Sequence, residues 1–300
     1  MSLSRTIYKH GKLLITAEYA VLDGALSLAL PTKLGQRFEF SPIDKPEISW
    51  QSVDHKGQVW FEDRLELKRF SSALNGETAQ TLAHLFTTID HLNPKAFTHG
   101  WAIKATLEFD RNWGLGSSST LVSALADFFG IDPYMLLGHS FGGSGYDIAC
   151  ADAEGPILYR NDSNGPTVKT VHFNPSFSDE LYLVYLNQKM NSREAIRHYN
   201  AQPKSPELIE QVSTLTQDLI AADNLEAFEA VVDAHERLIG QQLGIQPIGQ
   251  ALFAGLPGVF SSLGAWGGDF ALFSRKENIP YLKEKGYSTI LGLAELCRLS

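Results

Sequence analysis

Three glycine-rich segments of the chain contain residues that could hold an anion or accept a proton. They are Gly114–Thr120 (GLGSSST), Gly142–Asp147 (GGSGYD) and Gly264–Asp269 (GAWGGD). Glycine lets the backbone adopt positive φ angles and approach a ligand closely. Three such segments, each beside a predicted strand or helix, indicate a backbone that surrounds a ligand.

The first segment, which we call the phosphate loop, lies between a predicted strand, Trp101–Phe109, and a predicted helix that ends near Gly130. The N–H groups at a helix N-terminus, together with the helix dipole, form an anion site. The segment lacks the G-x-x-x-x-G-K-[ST] pattern of a Walker A loop, and Ser119 occupies the third glycine position of the dinucleotide-binding fingerprint. A tight strand-to-helix turn without a ligand is the alternative for this segment taken alone.

The second segment ends in a carboxylate, Asp147, after four small residues and a tyrosine. A carboxylate on such a backbone can approach a substrate, or it can bond to its own backbone in a turn. The same region also contains GHSFG, Gly138–Gly142, which satisfies the nucleophile-elbow pattern of serine hydrolases. Ser140 would then be the nucleophile, with Asp233 and His235 as candidate partners, but the short segment after Pro133 leaves little room for the strand that an elbow needs.

The remaining pattern is a mixture of strands and helices, which predicts a mixed α and β fold class. Predicted strands, besides Trp101–Phe109, are Lys12–Thr16, Gln36–Phe40, Glu47–Gln51, Gln58–Glu62, Leu181–Leu186, Gly258–Ser261, Phe270–Phe273 and Tyr287–Leu291. Predicted helices are Glu77–His91, the segment from the phosphate loop to Gly130, one that starts at Ser205-Pro206, one from Asp223-Asn224 to Gly240 or Gly244, and Pro280–Lys285. A cluster of Asn, Pro and Ser at Pro175-Ser176 predicts a domain boundary there, which gives domains 1–176 and 177–300.

Composition narrows the function classes. The chain has 300 residues, with 25 Lys and Arg against 34 Asp and Glu, a formal net charge of -9. That balance argues against a nucleic-acid-binding domain, which needs a basic face. No apolar run is long enough to span a membrane, and the two cysteines, Cys150 and Cys297, are far apart. We therefore expect reduced thiols, a cytoplasmic protein and no membrane or nucleic-acid partner. No His spacing suggests a zinc site.

Together, the segments resemble the motifs of the GHMP kinases, a family that includes galactokinase, homoserine kinase, mevalonate kinase and phosphomevalonate kinase. His10–Leu22 (HGKLLITAEYAVL) resembles the first motif of that family, and GLGSS matches its phosphate loop. GSGYD resembles the segment that carries the catalytic aspartate, and Gly264–Asp269 resembles the third motif. The resemblance covers nearly the whole chain, in the family's order.

The resemblance implies an α+β, two-domain GHMP kinase fold, with an N-terminal domain like ribosomal protein S5 domain 2 and a ferredoxin-like C-terminal domain. It also implies ATP and Mg²⁺ as cofactors and a small-molecule alcohol as substrate. Asp147 would accept the proton of the substrate hydroxyl, and Lys12 would hold Asp147 ionised and stabilise the developing charge. The further site residues that it implies are Gly114, Leu115, Gly116, Ser117, Ser118 and Ser119 for ATP, with Ser118 or its neighbour Ser117 as the Mg²⁺ ligand; Glu18, Tyr19, Ser144, Gly145 and Ser192 for the substrate; and Gly264, Ala265, Gly267 and Gly268 in the third motif.

The first and second motifs look most like those of the mevalonate and phosphomevalonate kinases. Mevalonate is the first expectation because no Arg or Lys cluster near the motifs would bind a second phosphate, although Lys189 and Arg193 lie on the presumed substrate side. Phosphomevalonate kinase and diphosphomevalonate decarboxylase are alternatives within the superfamily, and a nucleotide-binding protein without activity is an alternative outside catalysis.

The chain departs from the family pattern at several positions. These are His10 and Ala17 in the first motif, Trp266 and the preceding Ser261-Ser262 near the third, and Leu136 or Leu137 where mevalonate kinase has a Mg²⁺-binding Glu.

Overall fold

The computed structural model describes residues 4–71, 74, 76–188, 192–264, 266 and 268–300. The strands are β1 (Arg5–Leu14), β2 (Ser27–Ile43), β3 (Glu47–Val53), β4 (Val59–Glu66), β5 (Gly100–Leu107), β6 (Ile157–Asp162), β7 (Gly165–Thr170), β8 (Leu181–Tyr185), β9 (Phe260–Ser262), β10 (Phe270–Ser274) and β11 (Ile290–Gly292). The helices are α1 (Glu77–Leu92), α2 (Ser117–Phe129), α3 (Pro133–Ser140), α4 (Tyr146–Ala151), α5 (Ser192–Ala201), α6 (Pro206–Ala221), α7 (Leu225–Leu243), α8 (Ile248–Ala251), α9 (Ile279–Glu284) and α10 (Leu293–Leu296).

The chain forms two compact units that interleave along the sequence. The first unit comprises Met1–Gly11, Leu34–Arg111 and Leu115–Asp152, and the second comprises Lys12–Lys33, Asn112–Gly114 and Ala153–Ser300. The single domain boundary at residue 176 stays a prediction.

In the first unit, a sheet of β4, β3, β5 and the C-terminal part of β2 is covered by helices. β3 pairs with β5 in parallel, whereas β3–β4 and β2–β5 are antiparallel. Apolar residues of the strands and of α1, α2 and α3 form one core, which includes Phe38, Ile48, Phe86 and Val122. Gly130, with φ 66°, ends α2 in the left-handed conformation that glycine adopts at low cost. This packing fixes α2, whose N-terminus is the phosphate loop.

The second unit contains a four-stranded antiparallel sheet in the order β11, β8, β10, β9. Its two long helices begin at the predicted caps. The Ser205 side chain accepts a hydrogen bond from Leu208 N before α6, and the Asn224 side chain accepts one from Ala227 N before α7. Gly244 ends α7 with φ 66°. Within this unit β6 also pairs with Ser27–Ala29 of β2 and with β7.

Most predicted elements are confirmed within a few residues, and the departures have physical causes. β1 starts at Arg5, before the predicted start at Lys12. It contains the buried Lys9, whose charge is compensated by ion pairs with Asp127 and Asp152. The elements that the sequence did not predict are β6, β7, α3, α4, α8 and α10. For β7 the cause is its almost complete exposure, which leaves no apolar alternation. Among the described residues, no helix is both long and apolar enough to cross a bilayer.

Candidate active site

The phosphate loop leads directly into the first turn of α2. Gly116 precedes the helix with left-handed backbone, φ 86°, and among the described residues no side chain caps this helix N-terminus. The Gly116 carbonyl accepts hydrogen bonds from Ser119 N at 3.1 Å and Thr120 N at 3.0 Å. Ser117 is partly exposed and Ser118 is exposed. The uncapped first turn therefore offers backbone donors and hydroxyl groups to a ligand.

Asp147 lies in the first turn of the short helix α4, after a run of glycines with positive φ angles. Gly142, Gly143 and Gly145 have φ angles of 67°, 107° and 86°. Ser144 in the same run is 8% exposed. A chain of larger residues would not follow this path at low cost, and the path delivers the Asp147 carboxylate to the start of the helix.

The structure brings the predicted phosphate loop and the predicted base together in the first unit. Ser119 Oγ donates a hydrogen bond to Asp147 Oδ2. The other carboxylate oxygen, Oδ1, accepts a hydrogen bond from Ile148 N at 3.1 Å. One turn further along α2, Ser123 Oγ donates to Asp152 Oδ2 at 3.0 Å. Two serine–aspartate hydrogen bonds therefore join α2 to α4 and to the residue that follows it.

A tyrosine on α3 lies within electrostatic reach of the same carboxylates. Burial raises the pKa of Tyr134 to about 12, and the charges of Asp132 and Asp147 add to that rise.

The serine-hydrolase alternative is wrong about the local structure. Residues 133–140 form α3, and Ser140 is its last residue rather than the residue after a strand. Its hydroxyl donates to Leu136 O at 2.6 Å, within its own helix. The strand-turn-helix context of a nucleophile elbow is absent at this position. Asp132 caps the helix and Pro133 starts it, which is the signal that predicts a helix here.

In the second unit, the first-motif segment has a strained backbone held by a distant helix. Ala17 and Tyr19 both have left-handed backbone, with φ angles of 66° and 62°. Ala17 N donates a hydrogen bond to His235 Nε2 on α7 at 2.8 Å. Nε2 is therefore an acceptor, and burial lowers the pKa of His235 to about 4. His235 is a neutral acceptor that supports the Ala17 turn.

Glu18 lies between these two strained residues and is 1% exposed. Among the described residues, neither of its carboxylate oxygens has a hydrogen-bond partner. Oε2 lies 3.7 Å from His235 Nε2, but because that nitrogen accepts from Ala17 the pair is not an ion pair. Burial raises the pKa of Glu18 well above its usual value; the residue's own backbone N–H opposes this rise, the Glu236 carboxyl adds to it, and the charge of Lys12 opposes it. We call Glu18, His235 and Glu236 the buried acid cluster.

Glu236, the third member of this cluster, is fully hydrogen-bonded. It accepts from Ile248 N, from Ser262 N and from the hydroxyls of Ser261 and Ser262, at 3.0 to 3.1 Å. Burial raises its pKa, and these donors oppose the rise. The Ser261-Ser262 departure near the third motif thus serves to bind a buried carboxyl group.

The Tyr19 side chain links the first motif to the third. Its hydroxyl accepts a hydrogen bond from Trp266 N at 3.0 Å, and its ring stacks on Tyr199 with centroids 5.6 Å apart. Tyr19 is 8% exposed. Its contacts within the second unit are therefore structural, and its predicted contact with a substrate stays a prediction.

Within the second unit, the third motif lies against Gly114, the first residue of the phosphate-loop segment. The Asp269 carboxylate lies against Gly114, where an added Cβ would be 2.4 Å from Oδ2. A Cβ added at Gly264 would lie 3.4 Å from the same oxygen, Asp269 Oδ2. Gly268 is buried. Ala265 and Gly267 lie outside the described residues, as do Lys189 and the side chains of Ser192 and Arg193. Gly114 therefore needs both its left-handed φ of 67° and its missing side chain.

Solved structures with the same fold are found across the full length of the chain, although no protein-family model and no curated protein matches the sequence. The Methanococcus jannaschii mevalonate kinase is 17% identical, with a TM-score of 0.64 over 100% of this chain and 99% of that chain. The Streptococcus pneumoniae phosphomevalonate kinase, solved with phosphomevalonate and AMPPNP, is 17% identical, with a TM-score of 0.68 over 95% and 99%. The Lactococcus lactis galactokinase, solved with galactose, is 11% identical, with a TM-score of 0.69 over 98% and 93%.

The chain has the GHMP kinase fold. The expected α+β class is thereby confirmed. The roles of individual site residues stay predictions, because identities of 11% to 17% establish the fold alone.

The residues at the start of α2 in this GHMP fold fit a Mg²⁺ ion bound together with phosphates. Mg²⁺ takes oxygen ligands, keeps several waters and binds protein through one or two groups plus substrate phosphates. The exposed Ser118 would supply such an oxygen. Leu136 and Leu137 are buried and apolar and supply none. The described residues contain no cluster of three or more His, Cys, Asp or Glu side chains that could hold a metal.

Sequence reasoning missed the roles of three residues, His235, Glu236 and Asp269. His235 was considered as a hydrolase partner, but it instead accepts the Ala17 N–H. Glu236 was not singled out, and Asp269 was named only as the last residue of the third motif. The available signal was a His-Glu pair at core-facing positions of a predicted amphipathic helix, where charged residues are rarely buried without a partner.

Proposed function

We propose that this chain is an ATP-dependent kinase that transfers the γ-phosphoryl group to a hydroxyl of a small molecule, with mevalonate as the first candidate acceptor. The observation that carries the proposal is the hydrogen bond from Ser119 to Asp147. This bond holds the Asp147 carboxylate beside the uncapped N-terminus of α2, which supports the proposed pairing of a proton acceptor with a phosphate site. Phosphoryl transfer needs mostly positioning and charge stabilisation, and this arrangement offers both.

In the proposed mechanism, Asp147 accepts the proton of the substrate hydroxyl as that oxygen attacks the γ-phosphorus. The N–H groups of the phosphate loop would hold the triphosphate oxygens, and the Ser118 hydroxyl would be the protein ligand of Mg²⁺. When bound with ATP, Mg²⁺ would neutralise charge on the phosphates. The resemblance of the first motif implies that Lys12 would stabilise the negative charge that develops on the transferred group.

The choice of acceptor rests on the likeness to both mevalonate-pathway kinases and on the sequence motifs. Glu18–Val21 and Gly143–Asp147 look most like the corresponding segments of those enzymes. Similar structures also include a mevalonate diphosphate decarboxylase from Legionella pneumophila, at 12% identity and a TM-score of 0.59. Phosphorylated acceptors therefore belong in the test.

The test is ADP release from Mg·ATP with mevalonate, phosphomevalonate, diphosphomevalonate, homoserine and galactose, beside a control without acceptor. Turnover with one acceptor is the expected result, and mevalonate is expected first. Release of inorganic phosphate with diphosphomevalonate would instead indicate the decarboxylase reaction. Silence with every acceptor, while ATP still raises the melting temperature, would contradict the proposal and favour a nucleotide-binding protein without activity.

A further inference from the structure

The two serine–aspartate hydrogen bonds between α2 and the α4 region have the same chemistry but different surroundings. Ser119 and Ser123 are one helical turn apart and are 4% and 1% exposed. The partner of Ser123, Asp152, is also ion-paired with the buried Lys9. Loss of the Ser123 bond would leave Asp152 held by Lys9, which indicates a structural contact.

The partner of Ser119 is held differently. Apart from the bond to Ser119, the Asp147 carboxylate accepts a hydrogen bond at Oδ1 from Ile148 N, which belongs to the next residue in the chain. A bond from a neighbouring backbone N–H moves with the residue and does not tie it to another element. The Ser119 hydroxyl bonds to Oδ2 and thereby ties the carboxylate to α2.

Ser119 is itself fixed by the loop that it follows. Its backbone N donates to the Gly116 carbonyl at 3.1 Å, and its side chain is buried. The orientation of the Asp147 carboxylate therefore depends on the same turn that presents the helix N-terminus. A base must present one oxygen lone pair to the substrate hydroxyl, and small errors in that geometry lower the rate strongly.

We infer that Ser119 is a positioning residue for Asp147: its hydroxyl orients the carboxylate against the phosphate loop, and Ser123 is its structural counterpart. This inference rests on the proposed kinase function. Ser119 takes no proton itself, since the substrate proton goes to Asp147.

The experiment compares Ser119→Ala with Ser123→Ala as a matched control, because each substitution removes one serine–aspartate bond from the same helix. Alanine is a better helix former than serine, so both variants should keep α2. With the acceptor found for the wild type, Ser119→Ala should lower kcat by about tenfold to a hundredfold and leave the KM for ATP within about threefold. Ser123→Ala should keep kcat within about twofold.

A second readout does not depend on turnover. In protein labelled with ¹³C-aspartate, the carboxyl carbon of Asp147 is assigned from its loss in Asp147→Asn. Ser119→Ala should move this resonance, whereas Ser123→Ala should move the resonance of Asp152 and leave that of Asp147 in place.

Equal kcat losses in the two variants, a rise in KM alone, or an Asp147 resonance that stays in place in Ser119→Ala would each overturn the inference. If the wild type turns over an acceptor and only the resonance fails to move, the kinase proposal stands and the positioning role is wrong. If the wild type turns over no acceptor, the proposed function is wrong and the positioning role falls with it.

Discussion

The carboxyl groups of Asp147, beside the start of α2 in the first unit, and of Glu18, in the buried acid cluster of the second unit, have opposite surroundings. Each oxygen of Asp147 has a donor, and the positive φ angles around it belong to glycines. Glu18 is more deeply buried, neither of its oxygens has a hydrogen-bond partner among the described residues, and its neighbours Ala17 and Tyr19 take positive φ angles without being glycine.

The difference is one of energetic cost. A hydrogen-bonded carboxylate that follows a run of glycines is held with little backbone strain. A buried carboxyl group without a hydrogen-bond partner lowers the free energy of unfolding by on the order of 1 to 3 kcal/mol. A non-glycine residue in the left-handed region adds about 1 to 2 kcal/mol. The second unit carries these costs in its first motif because the rest of the unit, including His235, holds that segment in place.

The largest expected effect is the loss of activity when the Asp147 carboxylate is removed. Asp147→Asn keeps the size of the side chain and an acceptor for Ser119 but removes the base. We expect kcat to fall by about 10³-fold, the range for a lost general base, while ATP binding measured by calorimetry stays within about threefold. Asp162→Asn, on a strand end of the second unit, is the control and should leave kcat unchanged. Full activity of Asp147→Asn would show that the Asp147 carboxylate is not the base.

The next effect tests the proton state of the buried acid cluster. The pKa of His235 falls from its ordinary 6.5 to about 4 in the folded protein because of burial. Between these values the unfolded chain binds more protons, so the contribution of His235 is fully present above pH 6.5 and is lost as pH falls towards 4. The contribution of His235 to the free energy of unfolding that is lost over this pH range is on the order of 3 kcal/mol. His235→Gln keeps an acceptor for Ala17 N and removes the titration.

Urea unfolding at pH 4.5 and pH 7 measures this term. The wild type should lose more stability than His235→Gln on going to the lower pH. The raised pKa of Glu18 acts in the opposite direction, since its folded form binds more protons and its contribution falls as pH rises above 4.5, but this term is present in both proteins. His55→Gln, at an exposed turn, is the control. The same pH dependence in wild type and His235→Gln would mean that His235 is not a buried neutral group.

The smallest expected effect separates backbone strain from lack of space. Gly114 and Gly142 both have φ 67°, but a Cβ at Gly114 meets Asp269, whereas one at Gly142 meets no described atom within 4 Å. Gly142→Ala should cost about 1 kcal/mol through strain, and Gly114→Ala about 1 to 3 kcal/mol more through overpacking. Both costs are read from urea unfolding.

A compensating substitution sharpens this test. Asp269 has a φ of 55°, so Asp269→Gly suits its backbone and removes the carboxylate that Gly114→Ala would meet. The double variant should recover the additional cost. Equal costs of Gly114→Ala and Gly142→Ala would show that Gly114 is needed for its φ angle alone.

Much of the fold was predictable because its signals are local. The caps at Ser205 and Asn224, and the stop at Gly130, lie within a few residues of the helix ends that they define. The phosphate loop was predictable for the same reason. The strand β1 was cut short in the prediction because a buried Lys9 contradicts the apolar alternation, and its aspartate partners are more than 100 residues away.

By itself, the sequence determined the ends of the helices that carry local start or stop signals, namely α1, α2, α6 and α7, and that Asp147 follows a glycine run. Only the tertiary structure decided which groups these residues meet. Ser119 and Asp147 are 28 residues apart, and Ala17 and His235 are 218 apart. The proton states of Glu18 and His235 follow from burial and from neighbours distant in sequence, and desolvation is a property of the folded surroundings rather than of the residue type.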